Sequence, residues 1–249
     1  MEMETQTRFN DYVEFYDNYR LKYNTDVLNK TITFIKYIKN DIKTIADIGA
    51  GTGILTRQLL KYKYNTFSLE PNKLMQAKSI KRDSKSKITH LNTTSIKTTL
   101  KTSSIDIIFV GTAIHWFEPE KTLKEFKRIL KKNGFLVILH SGTEGKISQE
   151  TFDVHQKYKL HKNKVVTRYE KGMVNYSNEY HTIISRKPIN LTMEQFVGLE
   201  LSMSTSPKRD NKIYKSFIFD LQKIFKKYSK NNKLTIMNKT TVLISNKLI

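Results

Sequence analysis

The residues with the clearest chemical potential lie in Asp47-Ile48-Gly49-Ala50-Gly51-Thr52-Gly53, where an acid precedes three alternating glycines. Glycine serves where the backbone turns to positive φ, or where a ligand must come closer than a Cβ permits. The spacing is not the dinucleotide fingerprint, because Ile54 or Thr56 occupies the position of the last glycine, and no phosphate-binding P-loop pattern occurs. A second acid, Glu70, follows about twenty residues after the glycines, where doubly wound folds bind a ribose. A carboxylate there can accept from both ribose hydroxyls. A third group, Gly111-Thr112-Ala113-Ile114-His115-Trp116-Phe117, offers an imidazole able to take a proton near neutral pH and an indole able to exclude water. With no cysteine in the chain, disulfides, thiolate metal sites and cysteine nucleophiles are excluded. His155, His161 and His181 match no ligand spacing, so no metal is expected.

These groups require strands that end where the chemistry begins. Ile45 to Ile48 predicts a first strand and Leu55, Leu59 and Leu60 the helix behind it. Asn65 to Leu69 reads as the second strand, Ile88 to Leu91 as the third and Ile105 to Val110 as the fourth. Phe135 to Leu139 is the fifth. The fourth is almost wholly apolar, as suits the middle of a sheet covered on both faces. Thr25 to Asn40 spaces its apolar residues as a helix, and so do Leu74, Met75 and Ala77. A further helix opens at Glu118-Pro119-Glu120 and ends at Lys131-Lys132-Asn133-Gly134. Ile213 to Tyr228 predicts an amphipathic helix with a lysine face, and Leu234 to Ile244 a closing hairpin turning at Asn238-Lys239-Thr240.

The D-x-G-x-G-x-G run resembles the first motif of class I S-adenosylmethionine (SAM)-dependent methyltransferases. Ala113-Ile114-His115-Trp116-Phe117-Glu118 resembles the A-x-H-W-F-D stretch of the small-molecule "methyltransferase type 11" group, near trans-aconitate methyltransferase-like sequences. Tyr16, Tyr19, Arg20 and Tyr23 match that branch's Y-x-x-Y-R-x-x-Y lid, and Leu191 to Ser206 is similar to its segment after an insert. The resemblance implies an α/β Rossmann-like, seven-stranded, mostly parallel sheet with helices on both faces. One domain spans 1–249, divided into an N-terminal lid and helix (1–40), a cofactor core (41–140), a substrate-roof insert after the fifth strand (141–206), and a last helix with closing hairpin (207–249). It implies SAM as cofactor, held by Tyr16, Arg20, Asp47, Gly49, Ala50, Gly51, Glu70, Pro71, Thr94, Ser95, Gly111 and Thr112. Tyr19, Tyr23, His115, Trp116 and Arg168 would face the acceptor. Positioning is the first expectation for catalysis, with His115 as the catalytic base where the accepting atom holds a proton. The family's adenine-binding acid is missing. Thr94 stands in its place, and a hydroxyl can both donate and accept there.

The net charge of +21 suggests an anionic partner, yet the excess is almost all lysine, whereas readers of nucleic acid favour arginine. Residues 207–249 hold eleven Lys/Arg against two acids, while residues 1–45 balance seven of each sign. An N/D-P-P-Y motif, which stacks an extruded base in amino methyltransferases, is absent. The opening residues lack a signal-peptide core and the longest apolar run is too short for a bilayer, so a cytoplasmic enzyme without a membrane partner is expected. Methyl transfer to a small-molecule acceptor is the leading expectation. An RNA or other polyanion methyltransferase and a non-catalytic SAM-binding module stand as alternatives.

Overall fold

The computed structural model describes residues 10–83, 87–158 and 169–249, with residues 169–171 described as backbone alone. A short helix, α1 (Val13–Tyr19), precedes α2 (Thr25–Ile38), and the chain then enters β1 (Thr44–Ile48). There follow α3 (Ile54–Leu59), β2 (Asn65–Leu69), α4 (Lys73–Asp83), β3 (Ile88–Leu91), β4 (Ile105–Gly111) and α5 (Pro119–Ile129). The remainder is β5 (Leu130–Glu144), α6 (Lys146–Lys157), α7 (Tyr169–Val174), β6 (His181–Leu191), α8 (Met193–Leu201), α9 (Tyr214–Tyr228) and β7 (Leu234–Ser245). The strands form one seven-stranded sheet in the order β3-β2-β1-β4-β5-β7-β6. The pairings among β1 to β5 are parallel, and β7 runs antiparallel to both its neighbours.

Side chains alternate across a strand, so the apolar runs supply two cores at once. Ala46, Ile48, Ile108, Val110, Leu136 and Ile138 pack on one face against Phe126 and Ile129 of α5. Ile45, Ile107, Phe109, Val137 and Leu139 pack on the other against Val27, Leu28, Ile32 and Ile35 of α2. Each large side chain so buried contributes about 1.5–3 kcal/mol. A third cluster joins Phe196 and Leu199 of α8 to Phe217, Leu221, Ile224 and Phe225 of α9, beyond one end of the sheet. No helix among the described residues is long and apolar enough to cross a membrane.

Three sequence expectations need correction. The closing hairpin does not form: residues 234–245 are one strand, paired along both edges. Asn238 and Thr240 look like turn residues but are buried, hydrogen-bonded to Ser141 Oγ (2.9 Å) and the Asn24 N–H (3.0 Å). The left-handed turn lies earlier, at Asn231 and Asn232. Part of the expected roof, residues 181–191, is instead the edge strand β6. Finally, Leu74 is solvent-exposed and α4 faces inward through Met75, Ser79 and Asp83.

A clamp on α5 fixes the loop after β3. Glu125 Oε1 accepts from the Thr98 N–H (2.8 Å) and hydroxyl (2.5 Å), while Arg128 grips both carboxylate oxygens (2.8 and 2.7 Å). The Arg128 bond, opposed by burial and aided by Thr98, lowers the Glu125 carboxyl to about 2. A depressed acid contributes stability that is complete above its unfolded value, about 4.3, and is lost as pH falls toward 2. Glu125→Ala should therefore lower stability at pH 7 by about 1.5–3 kcal/mol. It should also flatten the acid limb between those pH values, as read by urea unfolding across pH; an unchanged limb would mean the clamp contributes nothing.

Candidate active site

The loop after β1 turns left-handed at Gly49 (φ 73°) and again at Gly51 (φ 58°). At Gly49 a Cβ would lie 2.7 Å from the Ala113 Cβ, so the loop can rest on the segment after β4 only as glycine. At Gly51 a Cβ would project between Tyr16 and Met75, each 3.8 Å away and each on the cavity wall. The N–H groups of Gly49 and Ala50 donate to Leu69 O (2.9 and 3.0 Å), which joins this loop to the end of β2. There Glu70 is buried, with Oε2 accepting from the Gly51 N–H and Oε1 from the Asn72 N–H, both at 2.8 Å. Burial raises its carboxyl, and those two bonds oppose the rise.

A cavity of about 270 Å³ opens where these loops meet. Of the predicted residues, Tyr16, Arg20, Gly49, Gly51, Glu70, Pro71, Gly111, Thr112, His115 and Trp116 line it. Asp47, Ala50 and Tyr23 line a smaller adjoining recess that shares Arg20 and Thr112 with the first. Asp47 is fully buried and accepts from Thr56 Oγ1 (2.6 Å), while its Oδ1 has no hydrogen-bond partner among the described residues. Burial, partly offset by Thr56 and reinforced by Glu70, pushes its carboxyl up to about 7. Tyr23 meets Thr112 Oγ1 at 2.9 Å, and burial raises its phenol. Thr112 is left-handed (φ 56°), a strained conformation for a β-branched residue.

His115 and Trp116 sit on a single turn of 3₁₀ helix after β4, with rings 4.6 Å apart. His140, near the site on β5, escaped sequence analysis. Burial and the charges of Arg20, His115 and Lys239 lower its imidazole to about 3, so it is neutral at physiological pH. Ser202, Met203, Ser204 and Thr205 also line the cavity, in a stretch to which the sequence analysis gave no site role. Asn72 was also missed, although its Oδ1 accepts from the N–H groups of Leu74 and Met75 (3.0 Å each), a legible N-cap.

Three predicted residues stand elsewhere. Tyr19 turns outward, donating to Glu194 Oε1 (2.5 Å) and packing on Gly198. Thr94 and Ser95 do not reach either recess, because the clamped loop draws Ser95 Oγ to Thr122 Oγ1 (2.9 Å). Arg168 lies outside the described residues. Among the described residues no cluster of three His, Asp or Glu side chains is placed to hold a metal.

The expected lid is tied down from behind. Asp17 of α1, whose side chain is wholly buried, accepts from Arg82 Nε (2.6 Å) and lies 3.8 Å from both Lys78 and Arg57. Arg57 also donates to Thr52 O (2.7 Å) inside the glycine loop. Above the cavity, Arg20 approaches Ser202 Oγ (3.5 Å) and Met203 Sδ (2.7 Å), both neutral partners.

A family model described as a methyltransferase domain matches residues 46–138. A candidate methyltransferase of Dictyostelium discoideum is 33% identical over 142 residues, covering 55% of this chain and 52% of that protein. A candidate S-adenosylmethionine-dependent methyltransferase of Saccharomyces cerevisiae is 26% identical over 149 residues, covering 57% and 50%. The chain thus spans about half the length of the curated relatives it matches. Among solved structures, a candidate type II methyltransferase of Anaeromyxobacter dehalogenans superposes with a TM-score of 0.66 at 11% identity, covering 90% of this chain and 96% of that one. A candidate methyltransferase from an antibiotic biosynthesis pathway of Anabaena variabilis gives 0.56 at 18% identity, covering 85% and 96%. These likenesses establish the fold, and the matched model makes residues 46–138 similar to a methyltransferase domain.

Proposed function

We propose that the chain transfers a methyl group from SAM to a small-molecule acceptor held between the glycine loop and the Ser202–Thr205 turn. The observation that carries this reading is the cavity itself: it is walled on several sides, and among the described residues no lysine lines it despite the net charge of +21. Arg20 is its one lysine or arginine among the described residues. The basic excess of the described residues lies outside the site, which favours a small molecule over a polyanion at the reacting centre.

The residues present suit SAM. Glu70 offers a buried carboxylate to the ribose hydroxyls, the open side of Gly51 leaves room beside the backbone, and Asp47 and Arg20, which both line the recess, suit an ammonium and a carboxylate. Bound SAM supplies an already activated methyl group, so the protein's task is alignment and exclusion of water. His115 and Trp116 form the wall where an acceptor would sit. His115 can orient the acceptor by a hydrogen bond or take its proton.

Three measurements test these roles. Glu70→Ala should weaken S-adenosylhomocysteine binding by about 1.5–3 kcal/mol, roughly ten- to hundred-fold, in a calorimetric titration. Unchanged affinity in a folded protein would remove Glu70 from the site. Asp47 favours a cation only when ionised, so binding must release its proton below pH 7. Affinity should climb about tenfold per pH unit below that value and level off above it, while Asp47→Asn should bind weakly with no slope; a flat wild-type profile would place Asp47 away from the ligand. Once an acceptor is found, His115→Ala and His115→Gln separate its roles. Loss of kcat only in alanine indicates orientation, loss in both a base, and wild-type turnover in both would exclude His115 from either.

A further inference from the structure

The geometry points to a proton relay, Glu200–His155–Thr205, that opens on the acceptor side of the cavity and marks the acceptor as a nucleophile that gives up a proton. His155 on α6 and Glu200 on α8 are both buried, and His155 Nε2 lies 2.9 Å from Glu200 Oε2. The other ring nitrogen, Nδ1, lies 3.1 Å from Thr205 Oγ1, and Thr205 lines the cavity. The partners dictate the tautomer. An ionised carboxylate can only accept, so Nε2 carries the hydrogen and Nδ1 accepts the threonine proton. Carboxylate, imidazole and hydroxyl therefore run in line from the interior to the cavity, the third group orienting the base as in a nucleophile–base–orienter arrangement.

The relay is held firmly. Phe217 packs edge-on against His155, with ring centroids 5.0 Å apart. Ser206 Oγ donates to Glu200 O (2.6 Å) and Tyr12 donates to Ser206 O (2.6 Å), fixing the turn that presents Thr205. Around His155, α8 contributes Glu200; on α9, Asp220 lies one turn from Phe217 and is already taken by Lys157 (2.6 Å) and Tyr158 (2.9 Å). Glu200 is thus the carboxylate available to an imidazolium at this place.

The inference rests on the methyltransferase reading. As the acceptor atom X attacks, an X–CH3 bond forms and the methyl–sulfur bond breaks, its electron pair staying on sulfur. The X–H proton passes to Thr205 Oγ1 as the threonine's own proton passes to His155 Nδ1, leaving an imidazolium beside the Glu200 carboxylate. Thr205 alone would touch the acceptor, while His155 and Glu200 act through it. A carboxylate acceptor, already ionised, would need none of this. Alcohols, phenols, thiols and amines would.

The test has two readouts. Long-range proton–nitrogen NMR of histidine-labelled protein, assigned with His155→Gln, should show Nε2 protonated and Nδ1 bare at neutral pH; a hydrogen on Nδ1 overturns the relay. Methyl-labelled SAM should then be offered with a panel of phenols, alcohols, thiols, amines and carboxylates. Protic acceptors should be methylated, with kcat reduced about 10²–10⁴-fold in His155→Gln and Thr205→Val. Thr205→Ser should restore it, S-adenosylhomocysteine affinity should stay within about twofold, and the acid-side slope of wild-type kcat should vanish in His155→Gln. Methylation of carboxylates alone, or wild-type kcat in both variants, overturns the proposal. Wild-type failure to bind S-adenosylhomocysteine would instead defeat the methyltransferase reading, whereas intact binding with hydrogen on Nδ1 defeats only the relay. Thr205 is exposed, so Thr205→Val tests the idea even if a His155 variant misfolds.

Discussion

The site depends first on the Glu70 carboxylate, which reaches from the loop after β2 to the glycine loop, where glycine and alanine offer no side chain to make the link. One oxygen holds the Gly51 N–H and the other the Asn72 N–H. Neither backbone group need go unpaired in a buried wall, and leaving one so would cost about 1–3 kcal/mol. The same oxygens are the acceptors a ribose would meet, so a single buried carboxylate orders the empty loop and presents a polar edge to a ligand. Asp47, a few residues before Gly51, rises to about 7 partly because Glu70 shares its surroundings. Asp47 lines the smaller recess and Glu70 the adjoining cavity.

Around that centre the charges are kept apart by function. Arg57, Lys78 and Arg82 gather on Asp17 behind the glycine loop, and Lys39 and Lys131 on the buried Asp106 at the opposite end of β4. Burial alone would raise the Asp106 carboxyl, but Lys131 and the N–H groups of Lys43 and Thr44 hold it below its usual range. These pairs anchor α1 and the strand ends without placing any of these lysines in the cavity. A site poor in mobile charge gives its few polar groups more electrostatic effect, because little competes with them at low local dielectric.

The proposed acceptor wall is built differently from the proposed cofactor wall. The glycine loop, Glu70 and the segment after β4 all stand at carboxyl ends of parallel strands, the general binding edge of open α/β sheets. The Ser202–Thr205 turn belongs to the cluster of α8 and α9 beyond the sheet, together with the His155–Glu200 pair. Under the proposed function, variation in that cluster would change the acceptor while the sheet and its loops stay as they are.

The sequence by itself determined the sheet's first five strands, the glycine loop, Glu70 and the His115–Trp116 turn. Each is a local pattern: β-branched runs covered on both faces, positive-φ glycines, and an acid at a strand end. The tertiary structure decided what depends on residues far apart. Asn238-Lys239-Thr240 has turn composition, yet β5 and β6 pair with it on both sides and keep it extended. Thr94 and Ser95 occupy the expected adenine position, but Glu125 and Thr122 draw their loop away from the cavity. Tyr19 matched the lid pattern, and the orientation of a seven-residue helix turned it to Glu194. Thr205 and His155 lie fifty residues apart, so no periodicity links them, and only the packing of α6 on α9 and α8 brings hydroxyl, imidazole and carboxylate into line.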